Sequence, residues 1–595
     1  MTTVSESERK ISPQRRDTKS RQPKLPASKE PDKGMNEESA PRKNSLGKMF
    51  SSPFMLSMLS GLLLWAAFPP LNLFPLAWVA PIGWLLLIQK PALSGRRPLL
   101  QIWLAAFIHC MLVYQFIRLP HWSAYLGWVA LSFYLAFYAF AFVVISRVAV
   151  QRLKLSLVIV APVVWVGLEL FRGHFLTGLS LALLAHTQVH WLPVIQISDL
   201  AGAYAVSFLI MFVAACFVRS LLDKRGKAYW PLGVAGCALI AVLAYGYVRG
   251  GRDGVDQTQP PLRVALVQGS IDTVFPDTQE EWEALNQKAR QQYYDLSIQA
   301  RTEGQDLDLI IWPETMFQMP DRIVDERFAS LNEEDLRALQ EYRWWFARNV
   351  RQALGTTDID PVTQSTVEVR PPITSILGLQ TQVDGTDQHM NSATLIDGQG
   401  NVVNRYHKMH RVVFGEYIPF GKWFPWLYNL APIENALTAG ERPEAFVVNG
   451  LRISPSVCFE SIVPHLIRRQ VAQLEQEGHR PDVLLNVTND GWFWGSSLLD
   501  LHLTCNAFRA VELRRPLLVC ANTGFSAQID AAGRVIKKGP RQNCGVLLAD
   551  VRSDQRRSLY QHVGDWPAGI CLLATAFFSC VGGWKWLRPS GNVGD

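Results

Sequence analysis

Seven strongly apolar runs crowd into residues 53–248, and an eighth stands alone at 566–587 after a long stretch of mixed character. Their approximate limits are 53–70, 75–89, 100–117, 125–146, 155–172, 200–222, 229–248 and 566–587. A bilayer-crossing helix needs about 20 apolar residues, because the hydrocarbon offers no water to backbone N–H and C=O groups. Runs of this length and number call for a polytopic α-helical membrane domain with eight transmembrane helices. The second run is short and proline-bearing, so its limits are the least defined. Gly178–Leu184 is too short to cross and reads as a re-entrant or interfacial piece. Composition agrees: 18% of residues are charged, against about a quarter in a typical soluble protein.

Loop charge sets the orientation. Lys90, Arg96 and Arg97 follow the second run, and Arg147, Arg152 and Lys154 follow the fourth. Arg219, Lys224, Arg225 and Lys227 follow the sixth, and Lys585 and Arg588 the eighth. Cytoplasmic loops are enriched in Lys and Arg, so both termini are expected inside. Seven crossings then place residues 249–565 on the non-cytoplasmic side. The first 48 residues hold 12 Lys/Arg against 7 Asp/Glu and supply most of the net charge of +7. They are expected to form a disordered basic cytoplasmic tail, too long a polar stretch for a signal peptide. No basic cluster elsewhere is interleaved with exposed aromatics, so nucleic acid is not an expected partner. The expected plan is therefore a 1–48 tail, spans one to seven over 49–248, an outer domain over 249–565, and the last span with a short C-terminus over 566–595.

Residues 249–565 are different material. Apolar runs such as Arg263–Val267, Leu307–Trp312 and Val483–Val487 alternate with charged segments. Residues 279–303 and 333–354 space their apolar positions as amphipathic helices do. Short apolar strands plus such helices predict a layered α/β domain. Residues 318–371 read as a surface insertion. Of nine cysteines, Cys110, Cys216, Cys237, Cys571 and Cys580 lie in apolar runs, leaving Cys458, Cys505, Cys520 and Cys544 in the polar part. These four permit a disulfide in an oxidising compartment, but no spacing suggests a metal site.

Three strings put a reactive group at the end of an apolar strand, where ligand sites gather in α/β sheets. Ile310-Ile311-Trp312-Pro313-Glu314 ends on a carboxylate. Arg405-Tyr406-His407-Lys408-Met409-His410 is a basic knot leading to Phe414-Gly415-Glu416-Tyr417. Ile453-Ser454-Pro455-Ser456-Val457-Cys458-Phe459-Glu460 ends on a thiol. Singly, each has a plain reading: a solvated turn glutamate, a wet surface lysine, a core cysteine. Their joint occurrence does not.

In that order the strings resemble the nitrilase, or carbon–nitrogen hydrolase, superfamily, whose catalytic set is Glu-Lys-Cys. With eight spans around such a domain, residues 50–590 or so are similar to the bacterial apolipoprotein N-acyltransferase family. Val267-Gln268-Gly269, Phe414–Phe420, Asn489-Asp490-Gly491-Trp492-Phe493, Arg509-Ala510-Val511-Glu512 and Asn522–Ser526 extend the match. Two features depart from the family pattern. Phe459 stands where a tyrosine is common, and neither Phe275 nor Trp282 aligns securely with a tryptophan usual after the first strand.

The resemblance implies an αββα sandwich with Glu314, Lys408 and Cys458 as its catalytic residues and no cofactor or metal. It implies acyl transfer from a phospholipid, through a thioester on Cys458, to the α-amino group of an N-terminal diacylglyceryl-cysteine on a lipoprotein. The implied setting is the bacterial inner membrane, with the catalytic domain periplasmic. Glu314 would serve as base. Lys408 and the backbone N–H of Phe459 would face the oxyanion. Glu416 would steady Lys408 or Glu314, with Glu460 a second candidate. A tethered amidase using the same thioester is the alternative. The aromatics of residues 414–428 suit either an interfacial arm or a core loop, and Trp165, Glu169 and Arg172 share one helix face, where either a Glu169–Arg172 pair closing the end of the fifth span or a headgroup-binding role is expected.

Overall fold

The computed structural model describes residues 52–223, 229–251, 254–274, 278–324, 332–359, 366–419, 421, 423–430 and 436–587. The expected tail, Lys224, Arg225, Lys227, Phe275, Phe420 and Arg588 lie outside the described residues.

Among the described residues, four helices are long and apolar enough to cross a membrane: Ala124–Arg152, Leu157–Thr177, Ala203–Leu221 and Trp230–Arg249. Pro53–Ala67, Phe74–Gln89, Pro98–Val113, Leu192–Ala201 and Trp566–Gly582 are shorter apolar helices. The second expected span is broken into a 3₁₀ turn at Phe74–Trp78 and an α-helix at Ile82–Gln89. Pro81 has no N–H to carry the ladder across. Helices meet closely where a side chain is missing. A Cβ on Gly167 would lie 2.8 Å from the Cys571 carbonyl, so Leu157–His174 and Trp566–Leu587 pack backbone to backbone there. A Cβ on Gly246 would lie 1.8 Å from the Pro193 carbonyl. Small residues at such crossings are how apolar helices gain contact when burial from water offers no drive.

Between the Leu157–His174 helix and the Ala203–Leu221 helix the backbone is irregular, and Ser180–Gln188 is buried throughout. Irregular backbone at such depth survives only when its polar groups are satisfied internally. Glu169 accepts from Leu184 N at 2.8 Å and from Trp165 Nε1 at 3.0 Å. Arg172 donates to the carbonyls of Leu181 and Ala182, and Ser207 accepts from Ala185 N at 3.0 Å. The expected Glu169–Arg172 pair is thus not a direct bridge. Each turns instead to the segment that needs its hydrogen bonds.

The remainder is built on β1 (Leu262–Gln268), β2 (Leu309–Ile311), β3 (Phe317–Ile323), β4 (Thr357–Ile359), β5 (Thr366–Glu368), β6 (Thr374–Val383), β7 (His389–Ile396), β8 (Val402–His407), β9 (Phe446–Val448), β10 (Leu451–Val457), β11 (Val483–Thr488), β12 (Leu517–Ala521), β13 (Ala527–Ile529), β14 (Val535–Lys538) and β15 (Gly545–Val551). One sheet runs β15-β1-β2-β6-β7-β8 with β3 also on β6; the other runs β14-β13-β12-β11-β10-β9. Strands β4 and β5 pair separately. Val264, Leu266 and Ile311 of the first sheet meet Ile453, Val457 and Val487 of the second in one core. The alternate residues Ala265, Val267 and Ile310 face Tyr293, Phe346 and Val350 of the helices Gln279–Glu303 and Glu333–Ala353. On the far side Ile467 and Val471 of the Pro464–Gln476 helix, with Ala507 and Ala510 of the Leu498–Leu513 helix, cover β11 and β12. The layers are α, β, β, α. Strands buried on both faces read as continuous apolar runs, which is why the sequence displays them so plainly.

Residues 318–371 are not a surface insertion as a whole. Strand β3 pairs with β6, and the Glu333–Ala353 helix buries Leu339, Phe346 and Val350 against the first sheet. Its charged outer face makes a layer of the fold look like an accessory.

The Leu498–Leu513 helix is buried everywhere except at Asp500 and Leu503. One face meets β11 and β12, while Leu501, Cys505, Phe508 and Val511 join the apolar core of the helical region. Charged groups fasten the same junction. Asp199 accepts from Arg514 Nη2 at 2.7 Å and from Arg249 Nη2 at 2.8 Å. Glu512, paired with Arg509, accepts from Ala203 N at 2.9 Å, at the start of the Ala203–Leu221 helix.

Candidate active site

Glu314, Lys408 and Cys458 are brought together from the ends of β2, β8 and β10. In the first sheet β2 runs parallel to β6, and β6, β7 and β8 alternate in direction, so β2 and β8 end on the same edge of that sheet. The exit from β2 needs Gly378 opposite: a Cβ there would lie 2.1 Å from the Pro313 carbonyl and 2.6 Å from Glu314 Cα.

The Glu314 carboxylate is 6% exposed. Its Oε1 accepts from Asn391 Nδ2 at 2.7 Å and Lys408 Nζ at 3.2 Å, and its Oε2 from Asn489 N at 2.8 Å. Lys408, 2% exposed, also donates to Glu416 Oε1 at 2.6 Å. Burial works against its charge, but the carboxylates of Glu314 and Glu416 outweigh that and hold it well above the ordinary lysine range. The two carboxylates thus favour the ammonium form of Lys408. Glu416 is itself fixed by Val412 N, which donates to Oε2 at 2.8 Å.

Cys458 begins a 3₁₀ turn directly after β10 with φ of +54°. That left-handed conformation costs a residue with a Cβ about 1–2 kcal/mol, so surrounding bonds must hold it. Its carbonyl accepts from Asn486 Nδ2 at 3.1 Å, His502 Nε2 at 3.2 Å and Ser461 Oγ at 3.4 Å. Burial, then the charge of Glu314, push the thiol well above its usual range, and Lys408 opposes them. Cys458 is thus held as a neutral thiol, within the electrostatic reach of both Glu314 and Lys408.

Glu460 is fully buried. Its Oε1 accepts from Met409 N at 2.7 Å and His410 N at 2.9 Å, and its Oε2 from Val457 N at 2.7 Å and Tyr406 OH at 2.8 Å. It clamps the backbone around Lys408 to the backbone around Cys458. Phe459 stacks on His410 at 6.0 Å and packs against the core of the helical region. Trp282 is exposed, away from any buried role. Phe414, Trp423, Phe424 and Trp426 are exposed as well, so these four aromatics do not form a core loop, although Ile418 in the same stretch is buried.

Cys505 and Cys520 are buried, Cys544 is exposed, and none is in a disulfide. Cys505 faces the helical core, and Cys520 Sγ donates to the Ile311 carbonyl at 3.2 Å beneath the site. His174, His465 and Asp565 put possible ligand atoms within 4.8 Å of one another. The two imidazoles stack at 4.0 Å, so their in-plane lone pairs run side by side and do not converge on one ion.

Asn391, Asn486, Asp490 and His502 complete the setting and were not singled out from sequence. Asp490 lies inside a family-like string; His502 carried no signal, because its helix lacks an amphipathic stripe.

The sequence matches the apolipoprotein N-acyltransferase N-terminal domain over residues 60–216 and the carbon-nitrogen hydrolase model over residues 263–561. An apolipoprotein N-acyltransferase of Rhodopirellula baltica is 32% identical over 555 residues, 86% of this chain and 94% of that protein. One of Geobacter metallireducens is 32% identical over 546 residues, 89% of this chain and 95% of its own. One of Chlorobaculum tepidum is 27% identical over 547 residues, 89% and 96% respectively. A solved amidase from Nesterenkonia sp. is 20% identical over 51% of the chain and superposes with a TM-score of 0.31, too poor a likeness to carry weight. With both halves matched in order, and relatives spanning most of its length, this chain belongs to the apolipoprotein N-acyltransferase family.

Proposed function

We propose that this protein moves a fatty acyl group from a phospholipid to the α-amino group of an N-terminal diacylglyceryl-cysteine of lipoproteins, with Glu314, Lys408 and Cys458 as its catalytic residues. One observation carries this reading: a buried carboxylate, an ammonium favoured by its carboxylate partners and a neutral thiol act on one another, next to helices apolar enough for a membrane.

Cys458 Sγ attacks the ester carbonyl as Glu314 takes the thiol proton. Lys408 Nζ and the Phe459 N–H stabilise the oxyanion. Collapse expels the lysophospholipid alkoxide, which receives the proton from Glu314 and leaves a thioester. The lipoprotein amine then attacks the thioester and gives a proton to Glu314. The second oxyanion collapses to the amide, and the departing thiolate recovers that proton. Glu416 steadies Lys408, and Glu460 keeps Lys408 and Cys458 in register.

Both substrates are lipids, and each acyl CH₂ drawn into water costs about 0.8 kcal/mol, so the site belongs at a bilayer surface. The exposed aromatics at 414, 423, 424 and 426 suit an arm at headgroup level, where Trp favours the interface. Eight spans with both termini cytoplasmic, in the bacterial inner membrane, would put residues 249–565 in the periplasm. The shorter apolar helices and the loop charges support that count.

Mass spectrometry of the intact protein purified from its own membrane tests the nucleophile. An acyl adduct on Cys458 that vanishes in Cys458→Ala is expected, and an adduct surviving that substitution would overturn it. Adding a diacylated lipopeptide should discharge the adduct as N-acyl peptide. Release of free fatty acid alone would favour an amidase-like hydrolysis.

A further inference from the structure

Two polar arrays serve Cys458. In the first, Glu314 and Lys408 act on its thiol; in the second, Thr488 is hydrogen-bonded to the thiol, Asp490 adds its charge, and His502 meets the Cys458 carbonyl. The second array is buried: His502 and Asp490 are each 3% exposed and Thr488 is not exposed at all. His502 Nδ1 meets Asp490 Oδ1 at 3.0 Å, and the same oxygen accepts from Thr488 Oγ1 at 3.1 Å. His502 Nε2 meets the Cys458 carbonyl at 3.2 Å and Ser461 Oγ at 2.9 Å.

The partners favour a ring protonated on both nitrogens. A carboxylate and a carbonyl can only accept, so both ring nitrogens must carry hydrogen to avoid setting two lone pairs against each other. Ser461 then accepts from Nε2–H and passes its own hydrogen to the Cys458 carbonyl, at 3.4 Å. A neutral ring protonated at Nδ1 alone would accept from Ser461 Oγ at 2.9 Å, but its Nε2 lone pair would then face the Cys458 carbonyl at 3.2 Å. We propose that His502, kept doubly protonated by Asp490, is a positioning residue that holds Cys458 in its left-handed turn with the thiol aimed at Glu314. The inference rests on Cys458 being the nucleophile.

Charge around the ring agrees. Burial opposes an imidazolium, but the Asp490 carboxylate outweighs it, and Glu314 adds to the pull. The other charged groups of the helix are paired, Arg509 with Glu512 and Asp500 with Arg541, and His186 on the neighbouring segment lies against Cys505, not His502. Space for Asp490 is also specific: a Cβ on Gly524 would fall 2.2 Å from Asp490 Oδ2.

The test is Asp490→Asn in the full chain, in mixed micelles with a phosphatidylethanolamine donor. Adduct formation is followed by intact mass across pH 5.5–8.5 and expressed as the variant-to-wild-type ratio at equal folded fraction. Asparagine keeps the shape and removes the charge, so the His502 proton becomes labile. Positioning then persists at low pH and is lost as pH rises. The ratio is expected to fall about tenfold or more across that range, as a ring near the ordinary histidine pKa of about 6.5 loses its proton. His502→Gln, which keeps an N–H donor but does not titrate, should give a reduced, pH-independent ratio. A flat ratio for Asp490→Asn, or a His502→Ala rate within roughly threefold of wild type, would overturn the inference. An adduct that persists in Cys458→Ala would instead remove the nucleophile assignment on which it rests.

Discussion

Two helices of similar length invert the usual relation between hydropathy and burial. Trp230–Arg249 is apolar almost throughout, yet only Pro231, Ala235 and Gly246 are buried in the protein, and Ile240 and Tyr247 stand out from it. Leu498–Leu513 carries Asp500, His502, Arg509 and Glu512, and nearly all of it is buried. The first meets a solvent that asks only for apolar surface. The second is wedged between a sheet and a helical region, so each polar group on it must find a specific partner. Apolar character records which solvent a segment faces, and polar character inside the junction records what it holds in place.

If the junction owes its order to those partners, Arg514→Ala should do the most damage. It removes one of two guanidinium partners of buried Asp199, and breaking such a pair costs about 3–5 kcal/mol. Thermal unfolding in detergent should show this as a clear drop in midpoint, and an unchanged midpoint would break the contrast. Lys408→Ala tests the site, not the junction. Loss of one oxyanion donor should slow both acylation and transfer by a hundred- to a thousand-fold, for a cost of about 2.7–4 kcal/mol. Single-turnover kinetics separate the steps, and normal acylation with failed transfer would make Lys408 a residue for the acceptor. Leu501→Ala, on the apolar face of the polar helix, should cost about 2–5 kcal/mol in the same unfolding assay. Smallest of all, Ile240→Ala should shift stability by no more than about 0.5 kcal/mol. A loss as large as that of Leu501→Ala would mean Ile240 is covered by protein.

How much of this was legible follows the same division. Strands β1, β2 and β11 were plain, because burial on two faces leaves them largely apolar, and Glu314 stood at the end of β2; Lys408 and Cys458 follow the more polar β8 and β10. The long apolar helices were equally plain. The Phe74–Gln89 run was harder, since Pro81 splits it in a way hydropathy does not register. The Glu333–Ala353 helix was misplaced as an insertion because its solvent face outweighs Leu339, Phe346 and Val350. His502 and Asn391 were invisible for another reason. Each acquires meaning only from a partner far along the chain, Cys458 or Glu314, and no periodicity announces that meeting.

The backbone contact at Gly167 also bears on how the protein is made. The groove on Leu157–His174 is filled by Trp566–Leu587, which leaves the ribosome roughly 390 residues later. At about 5–20 residues per second that interval lasts on the order of 20–80 s. Throughout it the sandwich must fold, or wait, while its anchorage lacks a wall. A nascent chain stalled before residue 566 should therefore be open to proteolysis or to helix partners that the finished enzyme never meets.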